Sequence, residues 1–571
     1  MMKDPRCEER ARSLAADRLP NLADYVARYA RERPDRTALI EHDTGAEISW
    51  AAFDRSVDAV AATLLDLGLK PGDVLATSLP FTKEHVYLLF ACFRTGVVAA
   101  PLDLRLRPRE IEQAFARMNP EAYVFLGRPS MVEFAPAVAS LMDTNPGVKH
   151  WIQVQREAEG LVPGARHVAA WLSAVQAAAA DPSTSGRVAA ARKTLTERSP
   201  CLIIFTTGST GSPKPALLCH ENISLQNIGL IAAFQFQEDD RMLVNLPPSH
   251  VGGSTEQLIT TLVAGGTAVL LHIFEPARSL EAIARHRVTL LGQIPAMFVA
   301  QWRLSNFAEF DLSSLRLAIY GGQAVSVEFL QRLAAMAPQF GSGLGLTELA
   351  GFCTYTDVSA TVEDIAAGIG YDTAFCPISI REPMHPDGSA GDEKGPGEVG
   401  DVCFSGPQVF LGYLNDPEST AQAVSTDGIC YTGDLGSYDQ ERGLRFVGRA
   451  KLVIKPKGFQ VHPHDVEALI QEKLAGRVGA VACVGAEHDL YTEAVMLFVE
   501  VLPGQEVTAA DVGRACKDMA SYGRPSHVEL LGPGGIPLNR VAKTDYVLLR
   551  QRAAALVGEL REAGRWDRRR T

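Results

Sequence analysis

The sequence predicts an α/β protein: a large N-terminal domain of mostly parallel sheets flanked by helices, with a β-subdomain, then a small α+β C-terminal domain. Three observations predict it. Strand–helix–strand patterns repeat through the first half; alternating segments follow a turn-rich stretch at 381–400; and the texture changes after Lys451. The boundaries that follow are 1–450 and 451–571, and a chain of 571 residues is long enough for two or more units.

Taken in chain order, Leu22, Tyr25, Val26 and Tyr29 recur at helical spacing, as do Phe53, Val57, Val60, Leu64 and Leu67. The turn "KPGD" leads to the strand-like "VLATSLP", the helical "KEHVYLLFACFRTG" and a second strand, "VVAAPLD". The same grammar returns in "RMLVNLPP", "GTAVLL", "SLEAIARHR", "VTLLGQIP" and "LRLAIYGG". Between about 155 and 198 an Ala-rich polar excursion with helical character precedes the strand "CLIIF". "DVCFSG" and "GLRFVGR" alternate like antiparallel strands. Beyond them, "DVEALIQEKL" reads as a helix capped by Asp465, and "GAVACVGA" and "AVMLFVEVLP" as strands.

Composition excludes several classes. A net charge of −12 argues against a nucleic-acid binder. No run of eighteen apolar residues predicts a transmembrane helix, and the charged N-terminus lacks the apolar core of a secretory signal. Ten scattered cysteines without a C-x-x-C pair suggest reduced, buried thiols and hence a cytoplasmic protein.

One stretch concentrates chemistry. In "FTTGSTGSPKPALL" (205–218), Gly208 and Gly211 allow close backbone approach, Thr206, Thr207, Ser209 and Thr210 supply hydroxyls, and Lys214 supplies a charge. That fits a polyphosphate cradle, or a polar turn leaving a buried strand. A Walker A loop fails because Lys214 sits between two prolines, and a nucleophile elbow fails because Thr207 stands where glycine is required.

This stretch resembles the phosphate loop of the adenylate-forming superfamily, which includes acyl- and aryl-CoA synthetases, luciferases and peptide-synthetase adenylation domains. Pro215 replaces the usual glycine. Further segments resemble the superfamily's motifs in its order. "GLGLTEL" (343–349) resembles Y-G-x-T-E, with Gly343 and Gly345 in the turn and Leu344 where a tyrosine usually stacks on adenine. The resemblance puts Thr347 near the α-phosphate and Glu348 on Mg²⁺. "YGGQAV" resembles the turn that passes the adenine, giving Gly321, Gly322 and Gln323. "YTGDLG" resembles the ribose motif of Asp434.

"GRAKLVIKPKGFQVHPHDVE" (448–467) closely resembles the hinge region of coumarate-CoA ligases and luciferases. By that likeness Arg449 holds the ribose and Lys451 is the hinge of a mobile lid. Lys455 and Gln460 face the adenylate, while Lys457 and Gly458 lie along the path of coenzyme A. "PLNRVAKTDY" resembles the C-terminal motif whose lysine, here Lys543, drives adenylation.

"NLPPSHVGGSTEQL" falls where the superfamily places its acid pocket, with His250, Val251, Gly252 and Gly253 lining it. No acidic residue occupies 251–255 to pair an α-amino group, and the two glycines leave volume for an aromatic ring or aliphatic chain. The resemblance thus implies an AMP-forming acid–CoA ligase using ATP, Mg²⁺ and coenzyme A on a small-molecule carboxylic acid. An acyl carrier protein as acceptor and a non-catalytic nucleotide-binding relative stand as alternatives.

Overall fold

In the computed structural model the described residues are 2, 4–128, 134–155, 160–206, 213–539 and 543–567. Two large sheets dominate. The first runs Gln339–Gly341, Leu317–Tyr320, Leu290–Gln293, Arg241–Val244, Thr267–Leu270, Thr37–Glu41 and Ala46–Ser49; all its pairings are parallel except the last. The second runs Gly412–Tyr413, Pro215–Cys219, Pro200–Phe205, Val98–Pro101, Val74–Ser78, Ala122–Leu126, His150–Val154 and Arg166–His167. Its first three strands pair antiparallel and the rest parallel.

The apolar runs explain the layering. Every residue of Val74–Ser78 and of Val98–Pro101 is buried, as expected of central strands covered on both faces. The helix between them, Lys83–Thr95, is capped by the Thr82 side chain and closes on Gly96 in the left-handed region (φ 77°). The Ala-rich excursion forms the helices Val168–Ala180 and Thr184–Arg192.

A four-stranded antiparallel sheet follows, in the order Ile378–Arg381, Gly400–Phe404, Cys430–Asp439 and Gly443–Arg449. The last sheet has three strands, Val478–His488, Thr492–Val501 and His527–Leu531, and carries one apolar cluster on each face. Both clusters are built from residues between Ile454 and Trp566. The predicted helix cap is corrected here. The helix is Pro463–Lys473 with His462 at the cap, because proline at the first position starts the turn earlier; Asp465 lies inside the first turn.

Candidate active site

The first sheet builds one wall of the site. Beyond the carboxyl ends of Leu290–Gln293 and Leu317–Tyr320 lies a cleft lined by Ile294, Gly321, Gly322, Gln323 and Lys543, the place where parallel sheets bind ligands. Gly322 has φ +99°, and a methyl there would sit 3.4 Å from Lys543 Cε. A bare backbone therefore lets the lysine in. Lys543 is held by a clasp: its N–H donates to Asn539 Oδ1 (3.0 Å), and the Asn539 N–H donates to its carbonyl (2.7 Å). Burial, with help from the Arg449 charge, holds its ammonium below the ordinary lysine range; Asp434 and Glu256 act the other way.

Asp434 and Arg449 face each other across paired strands. Arg449 Nε lies 2.7 Å from Asp434 Oδ1, yet neither carboxylate oxygen receives an aligned hydrogen bond among the described residues. The aspartate is 1% exposed. Burial raises its pKa to about 6, outweighing Arg449 and Lys543. With Arg449 as its close charged neighbour, the buried carboxylate keeps accepting positions for a ligand that brings its own donors, such as a vicinal diol.

Thr347 and Glu348 stand on a short 3₁₀ turn, Thr347–Leu349, held between the paired strands Gly345–Leu346 and Gly351–Phe352. A methyl on Gly343 would sit 1.9 Å from the Thr354 carbonyl oxygen, so only glycine fits. Leu344 is half-buried, its N–H donating to Thr354 Oγ1 (2.9 Å). Glu348 Oε1 accepts from the Tyr413 hydroxyl at 2.6 Å. Burial and the Glu348 charge push the Tyr413 pKa up, so the phenol stays a donor. Lys214 Nζ lies 5.0 Å from the Tyr413 ring centroid, a cation–π contact.

The ends of the glycine-rich loop are pinched together: the Thr206 N–H donates to the Lys214 carbonyl (2.9 Å), and the Lys214 N–H donates to Thr206 Oγ1 (3.3 Å). Thr207, Gly208, Ser209, Thr210 and Gly211 lie outside the described residues. Tyr413 was missed in the sequence because a tyrosine in "FLGYLND" carries no periodicity or motif of its own. Its pairing with Pro215–Cys219, together with the Phe410 N–H donating to the Glu348 carbonyl (2.9 Å), brings it to Glu348.

The predicted acid pocket opens on a π-helix, Gly252–Ile259, a wide turn of the kind found at functional sites. His250 Nδ1 accepts from the Gly252 N–H (2.9 Å), and burial lowers its pKa to about 4. It is neutral at pH 7, so Nε2 carries its proton. Val251 is 4% exposed and packs in the main core. One expectation is corrected: Gly253 leaves no pocket volume, since a methyl there would meet the Pro247 carbonyl oxygen at 2.3 Å and that of Leu246 at 2.6 Å. Its role is close backbone packing. A methyl on Gly252, by contrast, meets only side chains, the nearest being Leu246 Cδ1 at 2.9 Å and His250 Nδ1 at 3.0 Å. The acidic residue of this helix, Glu256, stands just past the 251–255 window; its spacing of four from Gly252 was the signal that places it on the same face.

The 451–460 segment lies apart from this cleft. Lys451, Lys455, Lys457 and Gln460 are solvent-exposed. The Lys451 carbonyl accepts from Arg550 (2.8 Å), and the Lys455 N–H donates to Glu493 Oε2 (2.7 Å). Lys457, at φ 52°, stacks its amine 4.3 Å from the Tyr491 ring centroid; Gly458 closes the turn Pro456–Gly458. The structure thus gathers Lys543, Gly321, Gly322 and Gln323 in one cleft and leaves the second predicted cationic face outside it.

The family model described as AMP-binding enzyme matches residues 26–414. A feruloyl-CoA synthase from Amycolatopsis sp. is 29% identical over 462 residues, covering 81% of this chain and 84% of its own. The 4-coumarate–CoA ligase 5 of Oryza sativa subsp. japonica is 28% identical, covering 89% and 90%. Among solved structures, ATP-bound MatB from Rhodopseudomonas palustris superposes with a TM-score of 0.79 over 93% of this chain and 99% of its own, at 24% identity.

Proposed function

The chain belongs to the AMP-binding enzyme family, and from that footing we propose that it is an ATP-dependent carboxylic acid–CoA ligase working through an acyl-adenylate. The observation that carries the reading is the Lys543 amine seated against Gly322, with the buried Asp434 carboxylate within its electrostatic reach. The names of the relatives, feruloyl-CoA synthase and 4-coumarate–CoA ligase, support coenzyme A as acceptor and an aromatic acid; a medium-chain aliphatic acid is the second choice.

In this reading the acid's carboxylate oxygen attacks the α-phosphorus of ATP; the new O–P bond forms as the bond to pyrophosphate breaks. The protein's share is alignment and charge neutralisation. Asp434 takes the ribose hydroxyls with Arg449 beside it, and Leu344, Gly321, Gly322 and Gln323 border the base. Thr206 to Gly211 and Lys214 hold the phosphates, with Thr347 at the α-phosphate. Lys543 spans substrate carboxylate and α-phosphate as charge moves between them. His250 offers its Nε2–H to the acid.

Among the described residues no three His, Cys, Asp or Glu side chains gather to hold an ion. Mg²⁺ is usually held by one or two carboxylates and the substrate's phosphates, and Glu348, oriented by the Tyr413 hydroxyl, is the residue that would hold it. When bound, the ion neutralises phosphate charge. Residues 451–571 then act as a lid that turns about Lys451, exchanging Lys543 for Lys455 and Gln460, with Lys457 and Gly458 along the thiol's path. All ten cysteines are free and buried, which supports a reducing, cytoplasmic setting. Among the described residues no helix is long and apolar enough to cross a membrane.

The test is acid-dependent ATP–pyrophosphate exchange over benzoates, cinnamates and graded fatty acids, followed by AMP release with coenzyme A or a carrier protein offered as acceptor. No exchange with any acid sinks the reading. A finer expectation concerns Tyr413. Tyr413→Phe removes the charge-assisted bond that orients Glu348, so the Mg²⁺ needed for half-maximal exchange should rise ~10-fold. A magnesium titration matching the parent protein would take Glu348 off the metal.

A further inference from the structure

Glu256 is a half-buried glutamate whose carboxyl the reaction above does not use. In the π-helix Gly252–Ile259 its seven companions are buried, and Glu256 alone keeps part of its surface open. Three glycines from separate segments make room for its head. Added methyls on Gly351 and Gly345 would lie 2.7 and 3.4 Å from Oε1, and one on Gly252 would lie 3.5 Å from Oε2. Gly345 precedes Thr347 by two residues, so the carboxyl borders the strand that carries the reacting-site turn. Phe352, whose backbone hydrogen-bonds this carboxyl, also touches the Gly321 backbone: a methyl there would meet its ring at 3.0 Å. Glu256 therefore sits one side chain away from the lysine cleft.

Its neighbours are committed elsewhere. Ser254 donates to the Pro248 carbonyl (2.6 Å), and Thr255 to the carbonyls of Val251 (2.8 Å) and Ala350 (2.6 Å). The Gln257 amide donates to Asn245 Oδ1 (3.0 Å) and the Gly292 carbonyl (2.6 Å). Against at least four lone-pair positions, the carboxyl has the Phe352 backbone as its hydrogen-bonding group and feels Lys543 only through space. Partly open at the surface, the carboxyl keeps accepting positions that the protein does not fill, and a ligand donor that takes one in place of water gains a hydrogen bond to a charged group.

We infer that Glu256 is the specificity-determining residue of the acid pocket, and that it selects carboxylic acids bearing an N–H or O–H donor on the part of the molecule remote from the reacting carboxylate. This deepens the ligase reading and rests on it. A hydroxyl or an ammonium group meets the same carboxyl; burial raises its pKa to about 7, so it accepts from either and ionises fully against a cation. Sites built around a buried hydrogen-bonding group reject analogues lacking the partner far more strongly than apolar pockets reject a methylene.

The experiment compares matched benzoates and cinnamates that differ only as hydroxyl, amino or methyl at one ring position, in ATP–pyrophosphate exchange with the full-length protein, E256Q and E256L. The parent protein should prefer the best donor-bearing acid over its methyl isostere by ~10²-fold in kcat/KM. E256L should bring that ratio within a few-fold of unity or invert it. E256Q, which keeps an acceptor and the shape, should retain part of the preference for the hydroxyl acid and lose that for the amine; it carries the test if E256L fails to fold, as judged by thermal unfolding. An unchanged ratio in both variants, or an equal fall for every acid as expected of a mere countercharge to Lys543, overturns the assignment while exchange itself upholds the ligase reading. Absence of exchange with every acid in the parent protein overturns both.

Discussion

Lys543→Ala is expected to cut acid-dependent pyrophosphate exchange by ~10³-fold or more, the scale of losing a preorganised charge at a reacting phosphate. Thioester formation from supplied acyl-adenylate and coenzyme A should stay within a few-fold of the parent value. The asymmetry follows from the separation of the two cationic surfaces: Lys543 lies in the cleft, while Lys455, Lys457 and Gln460 are exposed outside it. Loss of folding is not the expected cause. The amine is held below its usual range by burial, so its removal at neutral pH relieves a desolvated charge. An equal loss of both half-reactions would refute the division of labour.

Asp434→Asn should uncouple stability from nucleotide binding. The folded-state pKa of this carboxyl is about 6, above the ordinary 3.8, because of burial. The folded protein holds the proton more tightly than the unfolded chain, so stability is lost as pH rises from about 4 through about 6. Above that window the ionised group weighs against folding by about 3 kcal/mol, taking 1.36 kcal/mol for each tenfold step between the two values. Asparagine removes that burden, so the variant should melt higher than its parent at pH 7.5 and no higher near pH 4. Its ATP affinity should fall by ~10- to 100-fold with the loss of charge-assisted bonds. Scanning calorimetry at the two pH values and ATP titration check both halves. A variant that melts lower at pH 7.5 and binds ATP normally would show that Asp434 is a structural ion-pair partner of Arg449.

The central strands could be read from the sequence because burial on both faces leaves an uninterrupted apolar signature; "VLATSLP" and "VVAAPLD" became adjacent parallel strands around one helix. Sheet order could not. Thr37–Glu41 pairs with Thr267–Leu270, a partner more than two hundred residues away that no local pattern encodes. The site divides the same way. Glu348, Asp434, Arg449 and Lys543 could be picked out because the segments around them resemble the superfamily's motifs in its order, whereas Tyr413 and Glu256 acquire meaning only from contacts across segments. Gly253 was misread because an absent side chain looks like free space in a sequence, and here backbone carbonyls fill it.

The two-residue strand Gly412–Tyr413 closes the eight-stranded sheet over Pro215–Cys219, and the family model ends at residue 414. During synthesis the earlier strands would emerge long before their covering partner. A nascent or truncated chain stopping short of Gly412 would display 215–219 as a bare apolar margin, open to pairing with a second molecule. The last few residues of the matched region thus cover that margin, and the same segment delivers the phenol that bonds Glu348. A chain unable to pair there would expose that margin and lose the Tyr413–Glu348 bond together.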